Sequence, residues 1–280
     1  MEPNKIVSAI KSFPGMPGTA VKLLGLIDDP GMRVSQIEEI LRHDAGLTAN
    51  VLRLANSAYF GIPSKVGSIR QAVILLGLKR LIQMVIAACV SAIMDKSVPG
   101  YDLPPGELWR HSIAASVAAE GLVKVLRVEA AEEIFTAALL HDVGKLVLGD
   151  FVKDEFKQIE TAVSQGIGFE MAEKIVLGTN HAEVGARILT KWLLPPEIVN
   201  AVQFHHAPEA SEQLSSMLDI VHVANFISMM IGIGIGRDGL QHQPSVEVTE
   251  RLGLEPEHLE KVASQTMQWV KEFNEVLNPG

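Results

Sequence analysis

Apolar residues recur along this chain at helical spacing almost without interruption, and no segment sustains an apolar–polar alternation bounded by turn signals. A half-buried strand requires that two-residue period, so its absence confines the chain to an all-α fold. With 280 residues, 48% hydrophobic and 20% charged, the chain has material for one large domain or two small ones with ample core. The formal net charge of −9 argues against a general nucleic-acid binder or a binder of anionic membranes, both of which need a basic face. The single cysteine, Cys89, lies in an apolar run and cannot form an internal disulfide, which suits a reducing cytosol. No secretory h-region opens the sequence, and the runs Met84–Met94 and Phe226–Gly236 fall short of a membrane span. A cytoplasmic protein is expected.

Turn and cap signals divide the helices. Ser35 followed by Glu38 predicts a capping box opening a helix over Gln36–Arg42. Asp44 is placed to cap the helix ending at Ala55, where Asn56 and Ser57 read as backbone-capping groups; Gly61 and Pro63 are stop signals. Ser68 caps the next helix, which Gly77 separates from an apolar helix over Leu78–Met94. The proline- and glycine-rich stretch Asp95–Gly106 predicts a hinge and a domain boundary. Helices are then expected over Glu107–Leu126, Val128–Leu140, Gly144–Phe151, Asp154–Gln165, Phe169–Val176, His181–Leu193, Glu197–His205 and Leu214–Met230. Thr249–Leu252 and Pro256–Leu277 follow. The glycine alternation Gly232–Gly236 lacks the strand–turn–helix context of a dinucleotide loop.

The chemistry concentrates at one point. An apolar helix runs through Ala137-Ala138-Leu139-Leu140 into His141-Asp142, then Gly144 and Lys145. An imidazole and a carboxylate joined by one peptide bond can enter a cleft together. His111 upstream and His181, His205 and His206 downstream bring five of the nine histidines onto or beside helices around this pair. His43 and His222 read as capping or semi-buried residues, and His242 and His258 as surface residues.

An ordered series of motifs then becomes specific: Met16-Pro17, Asp28-Asp29-Pro30, His43-Asp44-Ala45-Gly46-Leu47-Thr48, Leu54-Ala55-Asn56-Ser57-Ala58-Tyr59-Phe60-Gly61, Ser68-Ile69-Arg70-Gln71-Ala72 and Leu75-Leu76-Gly77. Together they resemble the HDOD family, the HD-related output domains of bacterial signalling proteins. The resemblance implies a two-lobed helical architecture. Its N-terminal lobe would occupy 1–98, an HD-superfamily helical bundle 99–235 and a helical cap 236–280.

The second lobe is similar to the HD superfamily of metal-dependent phosphohydrolases. That likeness implies metal ligands at His111, His141, Asp142, His181, His205 and His206, with Asn225 where the superfamily has a distal Asp. Asp142 would bridge, with His111 and His141 on one side and His181, His205 and His206 on the other. Imidazole and carboxylate suit one or two divalent transition ions such as Fe, Mn, Zn or Ni. Asp142 and Lys145 would be the catalytic groups, the lysine neutralising phosphate charge. Asn225 is a weaker ligand than a carboxylate, and the residues after His206 lack the Gly-Tyr-Pro pattern of HD-GYP phosphodiesterases. The expected function is therefore a signalling or regulatory protein with a metal site, little turnover and a protein partner. The alternatives are a metal-dependent phosphohydrolase or phosphodiesterase acting on a nucleotide or phosphoester, and a helical module without metal.

Overall fold

The computed structural model describes residues 3–24, 31, 33–42, 44–56, 62, 65–129, 133–239 and 244–277. Its α-helices in chain order are α1 (Pro3–Ser12), α2 (Gly18–Leu24), α3 (Val34–Arg42), α4 (Ala45–Ala55), α5 (Ile69–Leu76) and α6 (Leu78–Met94). They continue with α7 (Glu107–Leu126), α8 (Ile134–Leu140), α9 (Lys145–Asp154), α10 (Phe156–Ser164) and α11 (Phe169–Leu177). The last are α12 (His181–Lys191), α13 (Pro196–Phe204), α14 (Ser216–Met230), α15 (Val246–Leu252) and α16 (Pro256–Leu277). The fold is all-α, and no helix among the described residues is long and apolar enough to cross a membrane.

The chain forms two compact units, one of Gly15–Ile93 with Gln268–Gly280 and the other of Met1–Pro14 with Met94–Met267. In the first, Asp44 caps α4 by accepting from the Leu47 N–H at 2.8 Å, and Ser68 caps α5 by accepting from Gln71 at 3.1 Å. Asn56 closes α4 with both ends of its amide. Its Nδ2 donates to the Leu52 and Val66 carbonyls at 2.7 and 2.9 Å, and its Oδ1 accepts from the Val66 N–H at 2.7 Å. Gly77, at φ 83°, makes the turn into α6. The capping box at Ser35 is not formed: α3 begins at Val34, the Gln36 side chain accepts from the Arg33 N–H, and Glu38 instead pairs with Arg70. Ser57, Gly61, Pro63, the Asp28-Asp29-Pro30 stretch, His43 and His242 lie outside the described residues.

The second unit is built round α7, which is buried along most of its length and packs against α8 and α14. Helix α1, which periodicity did not single out, docks through its C-terminal end. Lys191 donates to the carbonyls of Lys11 and Phe13 at 2.8 and 2.7 Å, and the Trp192 indole donates to that of Pro14 at 3.0 Å. A cation on those carbonyls satisfies acceptors that the helix itself leaves open. Helix α8 starts only at Ile134, because Val128 and Glu129 are not helical; Ala130 and Ala131 are outside the described residues. The stretch expected to be a hinge follows directly on the division between the units at Ile93 and Met94, and packs within this unit as a 3-10 turn at Pro99–Tyr101 with Val98, Gly100, Tyr101 and Leu103 buried. It lies on α9, where a Cβ on Gly100 would come within 2.1 Å of the Gly149 carbonyl oxygen.

Candidate metal centre

The sequence places His141 and Asp142 in a turn between α8 and α9, so both side chains leave the backbone at the same level. Gly144, two residues on, has ordinary right-handed backbone angles and is needed for space alone. A Cβ there would stand 1.9 Å from the His181 carbonyl oxygen and 2.6 Å from the Gly185 nitrogen. This close approach brings the start of α12, and hence His181, onto the His-Asp turn. Gly185, one turn along α12, lets α13 approach in the same way, since its Cβ would meet a Val202 methyl at 3.1 Å. His205 and His206 follow directly from the end of α13. His111 projects from the first turns of α7.

Two donor groups result, and they share Asp142: His111, His141 and Asp142 in one, and Asp142, His181, His205 and His206 in the other. His111 and His141 face Asp142 Oδ2 through Nε2 at 3.5 and 3.4 Å. His181 and His205 face Oδ1 at 3.5 and 3.7 Å. His206 reaches His181, Nε2 to Nε2, at 2.8 Å. His206 is half-buried; the other five donor residues are buried.

The remaining ring nitrogens decide which way each imidazole is turned. Nδ1 of His141 is held by the Ala138 carbonyl and that of His205 by the Val202 carbonyl, both at 2.7 Å. Nδ1 of His181 is held by Glu173 at 2.8 Å, and that of His111 by the Ile233 carbonyl at 3.0 Å. An Nδ1–H fixed on an acceptor leaves the Nε2 lone pair directed inward, which is how metal-binding histidines are oriented. Nε2 of His141, Nε2 of His205 and Oδ1 of Asp142 are buried without a hydrogen-bond partner among the described residues. Buried polar atoms left unmatched cost stability unless something meets them, and a divalent cation fits this nitrogen and oxygen set.

Several participants escaped the sequence reading. Glu173 accepts from both the Nδ1–H and backbone N–H of His181, and its other oxygen accepts from the Tyr101 hydroxyl at 2.5 Å. A glutamate fully buried eight residues before a histidine has no signature in a linear pattern. The glycine alternation also has a role. Gly234, at φ 58°, would put a Cβ within 2.6 Å of His111 Cβ, and the Ile233 carbonyl beside it orients His111. The segment goes on to Asp238, whose carboxylate lies 2.5 Å from Lys145 Nζ. Lys145 also donates to Asp142 Oδ2 at 2.6 Å and is buried, so its ammonium is enclosed by two carboxylates. Asn225 Oδ1 lies 2.9 Å from His111 Nε2. Asp219 is engaged elsewhere, with Arg251 at 2.7 Å. His222 is buried, bridging the His205 carbonyl and the Ser245 N–H, and His258 accepts at the start of α16.

Charge follows the geometry. Burial alone would raise the Asp142 pKa, but His141, Lys145 and His181 together overcome it and hold the carboxyl well below its ordinary range. Asp238 is likewise lowered, against burial, by Lys145. Burial pushes His111 down to about 4 and His205 well below its usual value, whereas His181, also opposed by burial, is raised by Glu173. As pH falls from about 6.5 towards about 4, the unfolded chain takes up protons that His111 and His205 refuse, so stability falls. His181 works the other way: its contribution is complete below its unfolded pKa and is lost as pH rises through its folded one. The two carboxylates add a further loss below about pH 4, as pH drops through their lowered values. In metal-stripped protein the His111 ring should therefore stay neutral down to about pH 4, read as its ring-proton shifts by NMR. A ring that protonates near about 6.5 would show that it is not held neutral.

The protein-family model described as the HDOD domain matches residues 13–208. A solved structure of an HDOD domain protein of unknown function from Geobacter sulfurreducens is 25% identical, with a TM-score of 0.80, and the match covers 98% of this chain and 96% of that one. A protein from Shewanella amazonensis SB2B, provisionally named a phosphohydrolase, is 28% identical with a TM-score of 0.73 over 96% of this chain and 97% of that one. An uncharacterized protein of Treponema pallidum is 26% identical over 223 residues; the match covers 79% of this chain and 43% of that protein's length.

Proposed function

This chain belongs to the HDOD family, and from that premise we propose that it is a signalling or regulatory module whose larger helical unit holds a divalent transition metal. In this reading it turns over substrate weakly or not at all and acts through a protein partner. The observation that carries it is the pair of inward-facing, unmatched donor atoms at His205 Nε2 and Asp142 Oδ1, in one group with His181 and His206. Bound metal at such a site polarises phosphoryl oxygens and lowers the pKa of water. Here, however, every donor residue except His206 is buried, which favours retention of an ion over access by a phosphoester. Lys145, expected to meet phosphate, is instead enclosed by Asp142 and Asp238.

A second reading, a metal-dependent phosphohydrolase, is favoured by the full set of histidines and by the name of the Shewanella relative. In that case Asp142 and the histidines would hold the ion, and Lys145 would have to leave Asp238 to meet the substrate.

One experiment separates the readings. Protein purified without added metal or an affinity tag should carry about one to two transition-metal equivalents by elemental analysis. The same preparation should leave a generic phosphodiester essentially unhydrolysed. Robust hydrolysis, raised further in Asn225→Asp, would establish the enzyme instead. Absence of metal even after anaerobic reconstitution would overturn both.

A further inference from the structure

The two donor groups are not equivalent, and the difference lies in the two oxygens of Asp142. Oδ1, which faces His181 and His205, has no hydrogen-bond partner among the described residues. Oδ2, which faces His111 and His141, already accepts from the Lys145 ammonium at 2.6 Å. That ammonium is tied on its far side to Asp238. Asp238 is placed by the glycine-rich segment, which the Arg237 N–H anchors to the Tyr101 carbonyl at 3.0 Å. We infer that this chain binds one ion, at Asp142 Oδ1, His181, His205 and His206, and that the His111–His141 position is closed by the Lys145 ammonium, which Asp238 holds on Oδ2.

Three physical arguments support the closure. A fixed ammonium supplies Oδ2 with positive charge, so a dication bound to the same oxygen would meet like charge at close range in a poorly screened interior. Lys145 cannot swing away cheaply, because leaving would strand the nearly buried Asp238 carboxylate. At the other edge of this position, Asn225 supplies a neutral amide against His111. A neutral imidazole carries one N–H, yet His111 has the Ile233 carbonyl on Nδ1 and the Asn225 amide on Nε2. Asn225 Oδ1 stands 2.9 Å from Nε2, so an ion at this position would have to part that contact. Neither neighbour of this position brings the negative charge that a second dication requires. Asp238 is thus a positioning residue, acting on ion number through Lys145.

The inference rests on the metal-binding reading and is tested by counting ions rather than by activity. Full-length protein is stripped with a chelator and titrated with Co2+, following the visible d–d absorption and the cobalt retained after gel filtration. The wild-type endpoint should fall at one equivalent. His141→Ala should keep that equivalent, and His205→Ala should lose it, with affinity down at least about tenfold. The double variant Lys145→Met/Asp238→Asn removes the clamp without stranding the Asp238 carboxylate, and leaves Asp142 to be balanced by the bound ions; its endpoint should move to two. Lys145→Gln/Asp238→Asn, which restores polarity without charge, serves if the first pair fails to fold. Two equivalents in the wild type, or one in a folded clamp variant, overturns the inference while leaving metal binding intact. No cobalt bound in the wild type overturns the metal-binding reading, and this inference with it.

Discussion

Asp142→Ala should strip the protein of nearly all its bound metal and lower its melting temperature even in the presence of chelator. Both donor groups lose their shared carboxylate at once, since His111 and His141 face one of its oxygens and His181 and His205 the other. The apo protein suffers as well. Removing one partner from a buried, hydrogen-bonded ion pair costs about 3–5 kcal/mol, and Lys145 keeps only Asp238 to balance it. Metal adds its own share in the wild type, because a ligand that binds only the folded state stabilises it in proportion to the logarithm of its concentration over Kd. The diagnostic comparison is melting with and without chelator. Wild-type protein should shift downward on chelation, and the variant, already lower, should not shift. Unchanged metal content and an unchanged melting temperature in the variant would sink the centre as a metal site.

Gly144→Val should destabilise the fold strongly and should release the metal with it. The obstacle to a Cβ is backbone on both sides, the His181 carbonyl at 1.9 Å and the Gly185 nitrogen at 2.6 Å, so no flexible side chain can yield. Overpacking a core ordinarily costs about 1–3 kcal/mol, and a backbone obstacle puts this site at the upper end or beyond. Relief requires the His-Asp turn to withdraw from α12, which separates Asp142 from His181. Urea unfolding should show a much lower midpoint for Gly144→Val and a smaller loss for Gly144→Ala. Gly15→Ala, where a Cβ meets nothing within 4 Å, serves as the control and should match the wild type. A wild-type midpoint in Gly144→Val would mean that the turn and α12 do not approach as closely as described.

Local sequence legibility was high where a single element carries its own signal. Asp44 and Ser68 each cap the helix that the pattern of polar and apolar residues assigns to them. Asn56 binds backbone at the end of α4, as a side chain with both a donor and an acceptor is suited to do. Where two local signals compete, the reading failed: Gln36 reaches Arg33 before Ser35 can form its box, and Glu38 goes to Arg70. The proline–glycine stretch before α7 looks like a linker by composition, yet those small residues serve close packing on α9.

The sequence by itself determined the all-α fold, the family and the residue types of the centre, because helical periodicity, caps and an adjacent His-Asp pair are all written within a few residues of one another. Only the tertiary structure decided which atoms of those residues are available. Glu173 orients His181 from eight residues away, Ile233 orients His111 from the segment after α14, and Asp238 reaches Lys145 across more than ninety residues. Hydrogen bonds and ion pairs of this kind depend on distance in space, which chain order does not encode. The same is true of the contrast at Asp142, where one carboxylate oxygen is taken by an ammonium and the other is left facing two imidazoles.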